Sequence, residues 1–301
     1  MVEFKNIHKQ YGPIKAVEGI NLKVNPGELF GLIGPDGAGK TSLFRMLTTL
    51  LLPNEGEIIF DGKDVVEHYQ FVRENVGYMP GSFSLYQDLT VEENLSFFAT
   101  LFGASIEENY DLIKDIYHQI EPYKKRRAGA LSGGMKQKLA LSCALIHKPL
   151  VLVLDEPTTG VDAVSRKEFW DMLKKLKESG LTILVSTAYM DEATLCDRVA
   201  LIQDGRILSV DTPSKIITDF NKPLYEVKGE NIHQILSLIR VSDHVLGAQP
   251  FGASLHLTLD SEDNLAEIKQ LILNARPDAK IELAIPTIED CFMDLMLEVH
   301  E

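Results

Sequence analysis

Three short stretches carry residue types whose order and spacing suit phosphate chemistry. The first is Gly34-x-x-x-x-Gly39-Lys40-Thr41. Its glycines let backbone N–H groups close around phosphate oxygens, the helix start that follows favours negative charge, and Lys40 adds a point charge. Thr41 supplies a hydroxyl for Mg²⁺, so the loop as a whole, Gly34, Pro35, Asp36, Gly37, Ala38, Gly39, Lys40, Thr41 and Ser42, predicts a MgATP site. The second stretch is the unbroken apolar run at 150–154, which ends in Asp155-Glu156. Asp155 is placed to hold Mg²⁺ through a water, and Glu156 to orient and deprotonate an attacking water. The third is Leu131-Ser-Gly-Gly-Met-Lys-Gln137. There Ser132 reads as a helix N-cap, and Gly133 and Gly134 expose backbone donors at the positive helix end. One P-loop does not need a second anion site, so this segment is expected to touch the γ-phosphate of ATP held by another copy or by a partner subunit.

These residues need elements to place them. Short β-rich runs at 2–7, 17–24 and 29–33 are separated by Gly12-Pro13 and Asn25-Pro26-Gly27, and the third leads straight into Gly34. A helix is predicted over 41–52 and a strand over 56–61. A mostly helical stretch from Thr90 to about His147 opens with Thr90-Val-Glu-Glu93, a capping-box pattern. The run 150–154 suits a parallel strand buried on both faces, with the acidic pair at its carboxyl end. A helix near 165–179, a buried strand over 181–186 and a helix from Asp191 complete an α/β pattern, in which ligands sit at the strands' carboxyl ends. Beyond about Pro223 the pattern restarts as strand, helix, strand, strand, helix, strand. Leu255, Leu257 and Leu259 alternate with His256 and Thr258, while Ile232, Ile235, Leu236 and Ile239 form one helical stripe. This order resembles a ferredoxin-like split βαβ unit. A last helix from Thr287 sets Ile288, Phe292, Leu295 and Met296 on one face.

Composition narrows the partners. The 301 residues carry a formal net charge of -14, and residues 221–301 hold 6 basic against 14 acidic side chains. Such a surface repels phosphate backbones and anionic lipid, which argues against nucleic acid as partner. Cys143, Cys196 and Cys291 lie too far apart for a CxxC or metal-ligand spacing, which suits a reducing compartment. The first residues have no apolar signal core, and the most apolar stretch, near 139–154, is interrupted by His147, Lys148 and Pro149.

In this order and spacing the loop 34–41, the segment 131–137 and the run 150–162 resemble the nucleotide-binding subunit of an ABC transporter, over roughly residues 1–216. The resemblance implies a P-loop NTPase of α/β class with an antiparallel β subdomain and a helical subdomain at about 85–147, filling 1–218. It is followed by a small α+β accessory domain at 222–301. It further implies ATP and Mg²⁺ as ligands, a second ABC ATPase subunit with which two ATP molecules are sandwiched head to tail, and an integral-membrane permease that the pair drives. The chain would then sit in the cytoplasm, peripheral on the inner face of the cell membrane. Tyr11 matches the aromatic residue that stacks on adenine, and Gly160-Val-Asp162 the loop that communicates across the dimer. Tyr86-Gln-Asp-Leu-Thr-Val-Glu-Glu-Asn94 matches the subdomain whose groove receives a permease helix. The C-terminal part resembles the accessory tail of exporter-type ATPases, including drug and polyketide-antibiotic exporters.

Two positions depart from the family. Gly81 stands where a glutamine normally reaches Mg²⁺ or the lytic water, and Ala188 where a histidine normally reaches the γ-phosphate. Because the losses are one-sided, they point to a heterodimer in which this chain's own site is slow; tolerated variation in an active homodimer remains the competing reading. Two other functions compete: a non-hydrolysing regulatory ATP-binding module, and a soluble ABC ATPase acting on ribosomes or DNA. The second lacks the paired P-loops with a basic linker, or the long coiled-coil arms, that such proteins carry.

Overall fold

A computed structural model describes the backbone of residues 2–299 and the side chains of residues 2–297. The expected spans 1–218 and 222–301 therefore begin and end on residues outside the described ones. Two compact units divide the chain, Met1–Thr212 and Pro213–Glu301.

In the first unit, strands β1 (Val2–Tyr11) and β2 (Ile14–Val24) form a hairpin. Strand β3 (Leu29–Ile33) runs into helix α1 (Lys40–Leu47). Next come β4 (Glu55–Phe60), β5 (Lys63–Asp64), α2 (Tyr69–Asn75) and β6 (Val76–Met79). Three helices follow, α3 (Val91–Leu101), α4 (Ile106–Tyr117) and α5 (Gly133–Leu145). The unit closes with β7 (Val151–Asp155), α6 (Ala163–Glu178), β8 (Thr182–Thr187), β9 (Arg198–Gln203) and β10 (Arg206–Asp211).

One sheet is antiparallel, in the order β2-β1-β4-β5. The other runs β10-β9-β3-β8-β7-β6, parallel throughout except at the edge strand β10. Strands β3, β7 and β8 are buried at every position, as continuous apolar runs between covered faces should be. A single core joins the sheets around α1, where Leu43, Phe44, Met46 and Leu47 pack with Phe4 and Phe60 on one side and Leu32, Val153 and Leu184 on the other. Truncating Phe44 to alanine would cost about 3–5 kcal/mol, enough to loosen the helix that follows the glycine-rich loop.

The helical stretch begins as its capping box requires. Thr90 Oγ1 accepts from Glu93 N at 3.2 Å, and Glu93 Oε2 accepts from Thr90 N at 2.8 Å. Ser105 and Glu108 repeat the arrangement at the start of α4. Several boundaries differ from the sequence reading: β1 runs on to Tyr11 and β2 begins at Ile14. The first helix stops at Leu47 because Thr48 turns its hydroxyl onto Phe44 O at 2.8 Å and Thr49 takes φ 61°. The helix expected from Asp191 is a 3₁₀ turn, Met190–Leu195, drawn tight because Glu192 points inward instead of following a helical surface.

The second unit contains α7 (Pro213–Asp219), β11 (Leu224–Lys228), α8 (Ile232–Ile239), β12 (Val245–Phe251), β13 (Ser254–Leu259), α9 (Leu265–Ala275), β14 (Lys280–Leu283) and α10 (Ile288–Val299). Its sheet is antiparallel in the order β12-β13-β11-β14. Ile235, Leu236 and Ile239 of α8 and Ile268 and Ile272 of α9 bury one face with Val227, Leu255, Leu257 and Leu259. Helix α10 meets strand β13 through His256 Nδ1 and Asp290 Oδ1, 2.7 Å apart, and meets α7 where Cys291 Sγ donates to Ile216 O. Of the predicted stripe, Ile288 and Phe292 are buried, and Leu295 and Met296 are half-buried.

Candidate nucleotide site

Parallel strands β3, β7 and β8 end side by side, and that register assembles the polar groups. Asp155 pairs with Ser186 across β7 and β8, while Ile33 pairs with Thr187 across β3 and β8. The carboxyl end of β3 therefore delivers residues 34–39 beside Asp155. Glycine is required along this loop: a Cβ on Gly34 would stand 2.1 Å from Ile202 O, and one on Gly39 would stand 2.3 Å from Ala16 O. Gly39 also takes φ 104°, a conformation side chains rarely adopt. It begins α1 without any side-chain cap, which leaves the first-turn N–H groups facing a ligand position.

The two sequence-predicted clusters interlock. Lys40, only 3% exposed, donates to Gly34 O at 2.8 Å and Pro35 O at 2.9 Å, and its Nζ lies 3.1 Å from Glu156 Oε1. Asp155 Oδ1 accepts from Thr41 Oγ1 at 3.1 Å and from Ser186 Oγ at 2.7 Å. Ser186 Oγ in turn accepts from Glu156 N at 3.0 Å. Glu156 sits at φ 49°, so its backbone is held in a left-handed conformation at the strand end. Tyr11 is 44% exposed, and its hydroxyl lies 3.2 Å from Ser42 Oγ, which ties the aromatic ring to the first turn of α1. Pro35, Asp36, Gly37 and Ala38 complete the loop between these anchors.

A divalent ion fits this donor set. Among the described residues no three His, Cys, Asp or Glu side chains gather to form a metal cage. Mg²⁺ characteristically takes one or two protein ligands plus phosphates and waters, and Thr41 with Asp155 offers that pattern.

Ser132 caps α5 by accepting from Met135 N at 3.4 Å. The neighbouring glycines pack inside the same unit: a Cβ on Gly134 would stand 2.6 Å from Ser165 Oγ, and the nearest atom to one on Gly133 would be Gly160 O. Asp162 caps α6 through Val164 N and Ser165 N, and those bonds hold its carboxyl below the usual carboxylate range. The segment 132–134 is thus braced on 160–165, while Lys40, Thr41, Asp155 and Glu156 form their own network.

Several functional candidates escaped the sequence reading. Ser186 links both acidic residues, and its place at the end of a buried strand was the available signal. Glu192, 2% exposed, accepts from Thr158 Oγ1 at 3.1 Å and from Thr187 Oγ1 at 2.6 Å. It therefore joins the loop after Asp155-Glu156 to the end of β8, one residue before Ala188. Arg166 Nε approaches its other oxygen at 4.0 Å. At position 81 a Cβ would meet Asp155 O at 3.1 Å, so Gly81 lies directly against the acidic strand end. Gly81 also lines a groove of about 900 Å³ whose wall includes Tyr69, Phe83, Phe98, Leu101 and Phe102.

A parallel sheet with a glycine-rich loop at the end of its β3 strand, facing an acidic pair at the end of another, defines a P-loop nucleotide-binding protein. The family model described as ABC transporter matches residues 17–159. The Nod factor export ATP-binding protein I of a Rhizobium species is 34% identical over 299 residues, covering 98% of this chain and 96% of that protein. The protein named Probable multidrug ABC transporter ATP-binding protein YbhF, of Escherichia coli, is 39% identical over 218 residues. That match takes in 72% of this chain but only 38% of the relative's length. Among solved structures, an ATP-binding subunit of an ABC transporter aligns with a TM-score of 0.66 at 27% identity, covering 73% of this chain and 93% of that one. A dimeric ATP-binding cassette in a post-hydrolysis state, bound to ADP and Pi, aligns at 0.63 and 27%, covering 70% and 98%. The chain belongs to the ABC transporter family, in its class of ATP-binding proteins.

Proposed function

We propose that this chain binds MgATP in the loop 34–42 and that its hydrolysis drives a separate integral-membrane permease in the direction of export. The observation that carries the reading is the closed network of Lys40 on Gly34 O, Pro35 O and Glu156 beside Thr41 on Asp155. Each of these groups is a partner that phosphate, metal or water would replace. When bound, MgATP supplies the phosphoanhydride to be cleaved and a cation that neutralises charge on it. Lys40 then meets phosphate oxygens, Thr41 and Asp155 hold the cation, and Glu156 orients a water and takes its proton. Tyr11 offers a ring face to adenine, and Ser132, Gly133 and Gly134 serve the ATP of a second ABC ATPase subunit. The groove walled by Phe83 and Phe102 receives the permease. Export is supported by the names of the relatives above, and the chain's place is the cytoplasmic face of the membrane. No helix among the described residues is long and apolar enough to cross a membrane, which fits a permease carried on another chain.

Gly81 and Ala188 support a slow site on this chain paired with a competent site on a different ATPase subunit. They also favour a second reading, a non-hydrolysing ATP-binding module. Steady-state MgATP hydrolysis by the purified chain, measured beside Glu156→Gln with nucleotide binding checked in each sample, separates these. The slow-site reading expects binding with turnover that rises when the second subunit is added. Rapid turnover by the chain alone as a homodimer would sink it, and absence of MgATP binding would sink the whole proposal.

A further inference from the structure

The sheet of the second unit has two edges, and they are built differently: β12 carries a proline and a register slip, while β14 is short and charged. Edge strand β12 carries Pro250, which has no N–H to offer, and its register slips between Val245 and Gly247. Edge strand β14, Lys280-Ile-Glu-Leu283, has neither device. It pairs with β11 on one side only, and beyond it the sheet ends.

The pairing of β14 with β11 is electrostatically unfinished. Glu282 lies opposite Glu226, and Lys280 lies opposite Lys228. Like charges directly across a ladder are unfavourable, and at β14 the relief within the pair is the diagonal attraction of Glu282 for Lys228. Lys228 and Glu226 answer each other along their own strand at 2.7 Å. Among the described residues, Lys280 and Glu282 form no ion pair. On the other face Leu283 is 74% exposed beside the helix-covered core to which Ile281 belongs.

We propose that β14 pairs with β14 of a second copy of this chain, antiparallel and centred on Ile281, extending the sheet across a two-fold axis. The sequence of the strand selects that register. Centred on Ile281, each Lys280 faces the other copy's Glu282, and each Leu283 falls beside Ala279 and Ile281 of the other copy. Centring on Lys280 sets lysine against lysine, and centring on Glu282 sets glutamate against glutamate. A shift by one residue sets charged side chains against apolar ones, because side chains alternate faces with period 2. A two-fold contact needs a self-complementary surface, and Lys-Ile-Glu read antiparallel to itself is one. The pairing goes beyond the nucleotide-site reading and does not rest on it, since no residue of the loop 34–42 or of Ser132–Gly134 takes part.

Charge exchange tests the geometry on the full-length chain, by sedimentation velocity without nucleotide or Mg²⁺ over a wide concentration range. The wild type is expected to dimerise reversibly. Lys280→Glu or Glu282→Lys alone turns both cross-copy pairs repulsive and weakens association about tenfold (about 1.4 kcal/mol). The double exchange Lys280→Glu with Glu282→Lys restores it to near wild type. Both positions lie on an exposed edge, so folding is expected to survive, and circular dichroism checks this. A wild type that stays monomeric throughout overturns the proposal, as does association unchanged by either single exchange or not restored by the double one. Lys40→Ala run in parallel keeps the two readings apart: it is expected to weaken nucleotide binding about a hundredfold or more and leave this dimer intact.

Discussion

The two halves of the nucleotide site are built to different degrees. At the phosphate-binding half, Lys40, Thr41, Asp155, Glu156 and Ser186 interlock through polar contacts of 2.7 to 3.1 Å. At the half proposed to face the γ-phosphate, the loops after β6 and β8 present the hydrogen of Gly81 and the methyl of Ala188. The support behind that second half is nevertheless present: Thr187, Thr158 and buried Glu192 hold the loop ends together. On the proposed reading, a framework kept without its terminal donors would separate holding a nucleotide from turning it over, since charge-assisted contacts dominate the first and positioned donors and bases the second.

The largest expected effect breaks the intact half. Lys40→Ala removes a buried ammonium proposed to meet the phosphates and should weaken MgATP binding by about a hundredfold or more (about 3 kcal/mol), read by equilibrium binding of labelled nucleotide. Retained affinity would mean that the backbone of the loop suffices and that the contrast between the halves is overstated. Next, Glu192→Ala strikes the framework of the emptied half and leaves two buried hydroxyls without their acceptor. It should destabilise the first unit by about 2–4 kcal/mol, read from urea unfolding, with a smaller change in nucleotide affinity than Lys40→Ala produces. Restoring a donor sharpens the comparison from the other side: Ala188→His should raise intrinsic turnover about tenfold. Gly81→Gln should help less, because its Cβ meets Asp155 O at 3.1 Å and the strand end must shift to admit it. A histidine at position 188 that changes nothing would move the limitation elsewhere.

The smallest effect lies outside both halves, in the groove wall. His147 stacks on Phe102 with ring centroids 3.9 Å apart, and burial lowers its pKa from the ordinary 6.5. The unfolded chain therefore takes up this proton at higher pH than the folded one. Stability from this group is full above pH 6.5 and falls as pH drops below it. Thermal unfolding between pH 8 and pH 5 should show that decline in the wild type and a shallower one in His147→Leu.

Much of the site was legible because its chemistry is local in sequence. A strand, a glycine-rich turn and a helix start occupy one continuous stretch at 29–47, and an apolar strand ending in two carboxylates needs no distant residue to be recognised. The capping box at Thr90 and the cap at Ser132 were readable for the same reason. Ser186 and Glu192 were not, because their roles depend on which strand ends lie adjacent. Asp155 and Ser186 are 31 positions apart, and Thr158 and Glu192 are 34 apart. The 3₁₀ turn at 190–195 escaped for a related reason: its sequence permits a helix, and inward hydrogen bonds to Glu192 overrode that preference.

By itself the sequence singled out which groups are candidates to hold phosphate and cation, since residue type and spacing mark the loop 34–41, while only the family resemblance marks Gly81 and Ala188 as places where donors are expected. Only the tertiary structure decided that β7 lies between β6 and β8, so that Ser186 reaches Asp155 and Gly81 lies against the same strand end. It alone decided that β14 is a free edge with like charges facing it, because strand order and register arise from packing between distant segments and not from the local pattern of any one of them.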